Sequence, residues 1–148
     1  MAFNKDIDID EFAAELEDIL KEVGDACGEA TVNGVRRGVR EGAKIWRKHA
    51  KDKIGTHTYR RSGETITSGK YAKSVRSHMI STSEAHPAGE VGSKKLYGLT
   101  HLLQKGHARV GGGRVKPVLK LDEEVYPQTV DATIEAIKDE MGELFDRF

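Results

Sequence analysis

Apolar residues recur every three or four positions along the first third of the chain. The stripe consists of Phe12, Leu16, Ile19, Val23, Ala26 and Ala30, and it continues through Val35, Val39, Ala43, Trp46 and Ala50. Such spacing places the side chains on one face of a helix. The pattern therefore predicts a long N-terminal helix that starts near Asp10 and runs toward Asp52.

Five glycines interrupt this stripe: Gly24, Gly28, Gly34, Gly38 and Gly42. Each interior glycine costs about 1 kcal/mol relative to alanine unless close packing offsets it. Gly34, Gly38 and Gly42 lie four apart and form a smooth ridge, which we assign to subunit packing. A straight helix over residues 10–52 would be about 65 Å long, against about 38 Å for a compact domain of this size. Either the helix bends near residues 24–34, or it projects from the domain and packs on a neighbouring subunit.

The remaining chain reads as short elements and a closing helix. Alternation predicts strands at 71–83, with a bulge or register change, and at 90–95 after a turn at Pro87, and a third, edge strand at 115–121 that tolerates Pro117. Residues 53–69 show no sustained period and read as a mobile linker loop. The last helix has an apolar face of Tyr126, Val130, Ile134, Ile137, Met141, Leu144 and Phe145. We predict one α+β domain over residues 1–148, with the N-terminal and C-terminal helices packed on a small antiparallel sheet.

The segment from Tyr97 to Lys116 combines an apolar helical turn with a glycine-rich basic loop. Leu99, Leu102 and Leu103 share a face, and Gly106 ends the turn. Three consecutive glycines then exclude regular structure, so residues 107–116 are expected to form a mobile loop. Such exposed loops commonly carry function. We assign partner binding to the polar, basic and glycine residues of this segment: Lys105, His107, Arg109, Gly111, Gly112, Gly113, Arg114 and Lys116.

This segment also carries a resemblance. A Leu-Thr-His-Leu-Leu-x-Lys-Gly-His turn (residues 99–107) followed by Gly-Gly-Arg (residues 112–114) resembles the tail-completion, or head-tail joining, proteins of long-tailed phages and prophages. The length, the long first helix, the Tyr-Ala-x-Ser-Val segment at residues 71–75 and the closing helix also resemble that family. Only residues 99–113 are distinctive. The chain departs from the family where Pro117 is followed by Val-Leu-Lys-Leu instead of a proline-rich approach to the last helix.

The resemblance implies a structural role in the virion. Copies of the chain would act at the neck or tail top, after assembly in the host cytoplasm, and would contact the tail tube or tail terminator and the head connector. Cyclic symmetry is the usual solution for identical copies. A hexameric ring would match a phage tail by analogy.

Charge is segregated although its sum is zero. Residues 1–29 hold ten acids against two lysines, residues 30–76 hold thirteen basic residues against three acids, and the chain from Leu121 holds nine acids against two basic residues. Such blocks can neutralise one another within the chain or between copies, which we favour because a nucleic-acid-binding domain is normally basic overall. The alternative is a nucleic-acid-binding protein or small ribonuclease that uses the basic segment 51–76 with His107, Arg109 and Arg114.

No pattern for catalysis or cofactor binding stands out. The six histidines (His49, His57, His78, His86, His101 and His107) match no recognised ligand spacing, and Gly111 to Arg114 lacks the ending of a P-loop. A single cysteine, Cys27, allows no intrachain disulfide. The first residues are acidic, and no apolar run approaches the length of a membrane helix. We therefore expect no enzyme activity, no cofactor, no metal and no membrane partner.

Overall fold

The computed structural model describes residues 9–147. The first eight residues, among them Asp6 and Asp8 of the acidic block, and Phe148 lie outside this range. Within it, the chain forms helices α1 Ile9–Ile54, α2 Ser68–Ser74, α3 Tyr97–Lys105 and α4 Tyr126–Phe145, together with short antiparallel strand pairs. A π-helical turn, Leu121–Val125, leads directly into α4. The predicted α+β class, with a long N-terminal helix, a C-terminal helix and small antiparallel sheets, is confirmed.

Helix α1 runs unbroken for 46 residues through Gly24 and Gly28. At 1.5 Å per residue it is about 69 Å long. Residues 9–22 are all exposed, and the first buried residue of α1 is Ala30. Of the two alternatives for this helix, its first turns project from the rest of the subunit, and their packing on a neighbouring subunit stays a prediction. We call residues 9–25 the arm.

Helix α4 packs antiparallel on the second half of α1, against the glycine ridge. A side chain at Gly34 would lie 2.6 Å from the Cα atom of Ile137, and one at Gly38 would lie 2.5 Å from the Cα atom of Thr133. Gly42 faces the side chain of Thr129. The assignment of this ridge to subunit packing is therefore corrected: the backbone that approaches the glycines belongs to the same chain, and α4 already covers them.

The strands form three separate two-stranded sheets among the described residues. Strand β1 Tyr59–Arg61 pairs with β2 Glu64–Ile66, β3 Arg76–Ser81 with β4 Ala88–Gly92, and β5 His107–Ala108 with β6 Arg114–Val115. The β3–β4 pairing follows the prediction, including a register shift between Met79 and Ser81.

Three predictions for the middle of the chain were wrong. Residues 53–69 are not a linker without regular structure, because they contain the β1–β2 hairpin, whose turn places Ser62 and Gly63 at positive φ. Residues 68–74 are helical rather than extended, because the Thr67 hydroxyl caps α2 by accepting a hydrogen bond from the Lys70 N–H at 3.1 Å.

The third edge strand is shorter than predicted. Only Arg114 and Val115 pair as a strand. After Pro117, the N–H groups of Val118 and Leu119 both donate to the Leu103 carbonyl oxygen, at 2.8 and 3.0 Å. These bonds join the segment to the end of α3 instead of to a sheet.

The core lies where the last turns of α1 meet α2, α3 and the segment before α4. Its fully buried large side chains are Tyr71, Ile54, Ile66, Leu119 and Val75. The Tyr71 hydroxyl and the Thr100 hydroxyl are 2.8 Å apart, which links α2 to α3. The Arg47 guanidinium donates two hydrogen bonds to the Val75 carbonyl oxygen, at 3.0 and 2.8 Å, and so fixes the start of β3 on α1.

Candidate functional site

The glycine-rich segment forms a small hairpin beyond the end of α3. Strands β5 and β6 pair His107 with Val115 and Ala108 with Arg114. The Arg109 N–H donates to the Gly113 carbonyl oxygen at 3.0 Å and closes the loop. Gly111, Gly112 and Gly113 have φ values of 91°, 110° and 83°, in the region that side chains rarely adopt. The glycines are therefore needed for the shape of the loop.

The base of this hairpin is fixed to α3. Gly106 ends the helix with a φ of 72°, and its N–H donates to the Leu102 carbonyl oxygen at 2.8 Å. A side chain at Gly106 would collide with the Val115 carbonyl oxygen. The Arg114 guanidinium donates to the Lys105 carbonyl oxygen at 3.3 Å, at the negative end of the helix dipole.

The tip of the hairpin contacts little else of the described chain. No described atom outside the immediate neighbours lies within 4 Å of the position that a side chain would take at Gly111, Gly112 or Gly113. Arg109 is exposed, and Val110 is fully so. The tip is therefore free to meet a partner.

The structure thus brings the predicted partner-binding residues together. Lys105 lies in the last turn of α3, His107 and Arg114 lie on the paired strands, and Lys116 follows β6. Every predicted partner-binding residue of this segment is exposed except His107, which is half-buried. The glycine ridge, the other predicted site, lies elsewhere and faces α4.

A second surface was predicted only in part, because the alternative reading named the basic segment 51–76 but not Lys94 and Lys95. Strand pairing sets Arg76 opposite Gly92, and the turn from β4 into α3 brings Lys94 and Lys95 beside the end of α2. A cavity of about 350 Å³ opens there, with these side chains in its wall: Lys73, Ser74, Arg76, His78, Glu90, Lys94 and Lys95. A second cavity, of about 420 Å³, shares Lys73, Ser74, Arg76 and Lys95 with the first. We call the two together the basic groove.

Charge in the groove is only partly balanced. Lys70 pairs with Glu64 at 3.0 Å, and Lys94 lies 3.7 Å from Glu90, which also contacts His78. Lys73, Arg76 and Lys95 make no salt bridge with the described chain. The groove therefore carries a surplus of positive charge, which attracts anionic groups. The sequence signal was the Lys-Lys pair at 94–95, but only the fold shows that it meets residues 70–76.

The arm is the third exposed feature. It presents large apolar side chains to solvent: Ile9 is 78% exposed, Phe12 56%, Leu16 44%, Ile19 55% and Leu20 62%. The register of α4 on α1 pairs Thr133 with Gly38 and Ile137 with Gly34. Extended by eight residues, that register sets Phe145, the last residue of α4, beside Ala26. The apolar stripe of α1 therefore continues past the point where α4 stops covering it.

Part of the basic block faces acids of α4 and of the π-helical turn before it. Arg37 contacts Glu140 at 3.0 Å and Asp139 at 3.4 Å, and Lys53 lies 3.8 Å from Glu124. These pairs are exposed, so each contributes little to stability. They join the middle charge block to the last one within one chain.

One histidine has a defined structural role. The His49 Nε2 atom accepts a hydrogen bond from the Lys120 N–H at 3.0 Å, and its Nδ1 atom lies 3.3 Å from the Glu124 carboxylate. The His49 side chain is only 9% exposed. Burial lowers the pKa of His49, although the nearby Glu124 carboxylate opposes the shift. His49 therefore joins α1 to the segment before α4 in its neutral form.

Residues 9–147 contain no cluster of three or more His, Cys, Asp or Glu side chains arranged to hold a metal ion. No helix in that range has both the length and the apolar character that crossing a membrane requires. Cys27 is a free, half-buried thiol on α1.

Comparison with known proteins adds no relative. The chain matches no family model, no curated protein and no solved structure.

Proposed function

We propose that this protein is a structural assembly protein of a phage or prophage, acting in tail completion and head-tail joining as part of the neck or tail top. The observation that carries the assembly role is the arm, whose apolar stripe runs about 25 Å beyond the body of the subunit. A helix of this length gains most of its stability from packing of its apolar face. Exposed apolar surface of this kind marks an interaction site.

Two further features support a phage role. The resemblance of residues 99–113 to tail-completion proteins falls on α3 and its hairpin, the part of the body whose tip is held out from the chain. The anchored base and free tip suit a loop that binds a neighbouring protein of the neck. In this proposal Lys105, His107, Arg109, Arg114 and Lys116 contact the tail terminator or head connector.

The basic groove favours one second candidate, a nucleic-acid-binding protein. Lys73, Arg76 and Lys95 are free to contact phosphates, and such contacts would make binding strongly salt-dependent. Fluorescence anisotropy with generic double-stranded DNA separates the two. Micromolar binding that weakens steeply with salt and requires Arg76 would favour this candidate.

Deletion of the gene from the phage or prophage that encodes it tests the main proposal. We expect separate DNA-filled heads and tails by electron microscopy, and recovery of joined particles when the wild-type chain is supplied in trans. The variant Phe12→Ser/Leu16→Ser, which removes the apolar stripe of the arm, should not restore joining. The control Lys138→Ala, an exposed position on α4, should restore it.

Joined, infectious particles from the deletion strain would refute the proposal.

A further inference from the structure

The arm combines its apolar stripe with a strong negative charge. Residues 9–25 hold seven acids and one lysine. Glu15 and Glu22 flank the stripe at equivalent positions, seven residues apart. Neither makes a salt bridge with the described chain. The arm is therefore complementary to a surface on which basic side chains surround an apolar patch.

Two arms are poor partners for each other. In a coiled-coil pairing through Phe12, Leu16 and Ile19, glutamates would line the same edge of the seam on both helices. Like charges at such spacing destabilise the pairing. The negative charge of the arm therefore favours binding to a surface other than a second arm.

The basic groove has the complementary charge. Lys73, Arg76 and Lys95 are free of salt bridges with the described chain, and the exposed ring of Tyr97 follows two residues after Lys95. Half-buried Leu96 and buried Ile66 lie in the wall of the second cavity of the groove. Basic side chains around an apolar floor match the acidic edge and apolar stripe of the arm.

The arm and groove of one chain cannot meet. The β3–β4 turn reaches α1 near Gly28, where a side chain would contact Glu84. The groove lies at the other end of the β3–β4 pair, where Arg47 holds Val75. Because Asp25 and Arg47 are 22 residues apart in one continuous helix, these two points are about 33 Å apart. Any contact between arm and groove must join two copies.

We infer that the arm of one copy docks in the basic groove of the next copy. The inference rests on the proposed assembly role and supplies its contact between subunits. The two surfaces differ, so the interface is heterologous, and repeated copies close into a ring or extend as a filament. Glu15 and Glu22 pair with Lys73, Arg76 and Lys95, and the apolar stripe covers the floor of the groove.

Charge reversal of the full-length chain tests the contact by sedimentation velocity at about 0.05 M salt, where surface pairs are weakly screened. The arm variant is Glu15→Lys/Glu22→Lys, and the groove variant is Lys73→Glu/Arg76→Glu. We expect the wild type to form oligomers and each variant to need at least about tenfold more protein to do so. The variant with all four changes should recover assembly, because the two charges are exchanged.

A matched control reverses two exposed lysines outside the groove, Lys51→Glu/Lys138→Glu, and should assemble like the wild type. A second readout is zero-length carbodiimide coupling of a mixture of isotopically labelled and unlabelled chains. It should join Glu15 or Glu22 of one copy to Lys73 or Lys95 of another. This readout locates the contact even where a variant folds poorly.

Any one of three results overturns the inference. The wild-type chain could stay monomeric at millimolar concentration, the arm variant and the groove variant could each assemble like the wild type, or the variant with all four changes could fail to recover assembly. DNA binding that is lost in the groove variant while oligomer mass is unchanged would assign the groove to nucleic acid. If these tests fail while the deletion strain still lacks joined particles, the arm contact is wrong and the joining role stands.

Discussion

Close approach of α1 and α4 depends on three positions without side chains. At Gly34 and Gly38 an added Cβ would meet backbone atoms of α4, which cannot move aside as a flexible side chain can. Arg37, between them in the chain, adds the exposed ion pairs to Glu140 and Asp139. Residue size, more than charge, therefore sets this packing.

The variant Gly38→Ala measures that effect. Helix propensity alone would stabilise α1 by about 1 kcal/mol. The collision with Thr133 should reverse the sign and lower the free energy of unfolding by about 1 to 3 kcal/mol. Gly24→Ala is the matched control, since no described atom lies within 4 Å of its added Cβ, and it should stabilise slightly. Equal stabilisation by both in urea unfolding would contradict close packing of α1 on α4.

A second residue-scale prediction concerns pH. Because the pKa of His49 is lowered in the folded chain, the unfolded chain binds this proton first as the pH falls. Stability should be full above the unfolded value of about 6.5 and should fall below it. Calorimetric melting temperatures between about pH 5 and pH 7.5 should therefore decline less steeply for His49→Gln than for the wild type. Parallel curves would show that His49 does not contribute.

At the scale of elements, periodicity predicted the helices and left the sheets uncertain. The 3.6-residue stripe located α1, α3 and α4, because each has one long apolar face. It could not say that α2 would form at residues 68–74, where the Thr67 cap and the burial of Tyr71 decide. Nor could it predict that the N–H groups of Val118 and Leu119 donate to the Leu103 carbonyl oxygen, a contact made only after folding.

The candidate sites also differ in how far the sequence alone could predict them. The segment 107–116 could be located from its glycines and basic residues, which are contiguous in the chain. The expectation that it has no regular structure was wrong, because its two ends pair as β5 and β6. The partner of the glycine ridge could not, because a ridge of small residues predicts close approach but not which backbone approaches. The basic groove needed the pairing of β3 with β4 to bring Arg76 near Lys94.

The hairpin tip gives an element-scale prediction. Arg109→Ala/Val110→Ser changes only exposed side chains and keeps the three glycines at their positive φ values. We expect an unchanged melting temperature, because the tip packs on no core, and loss of head-tail joining in complementation. Gly106→Ala is the contrasting variant and should lower the melting temperature through its collision with the Val115 carbonyl. Full joining by the tip variant would remove the hairpin from the partner site.

At the scale of the whole molecule, the net charge of zero is the sum of two separate arrangements of charge. The basic side of α1 meets acids of α4 and of the π-helical turn before it within one chain, as Arg37 and Lys53 show. The acidic arm and the basic groove lie at opposite ends of the subunit. In the proposed interface, the arm of one copy meets the groove of the next.

Salt should therefore control association. Raising ionic strength from about 0.05 M to 0.5 M shortens the screening length to a few ångströms. Light scattering should show the population shift toward the 16.3 kDa monomer. An oligomer mass that does not change with salt would show that apolar contact of the arm, without its charge, holds the copies together.

The central claim is that the protein acts at the junction of head and tail. Immunogold electron microscopy of purified particles, with antibodies raised against the chain, measures this directly. Gold should lie at the neck or tail top of joined particles and on the upper ends of free tails. Particles without gold at that junction, in a preparation whose control antibody labels the tail tube, would contradict the account.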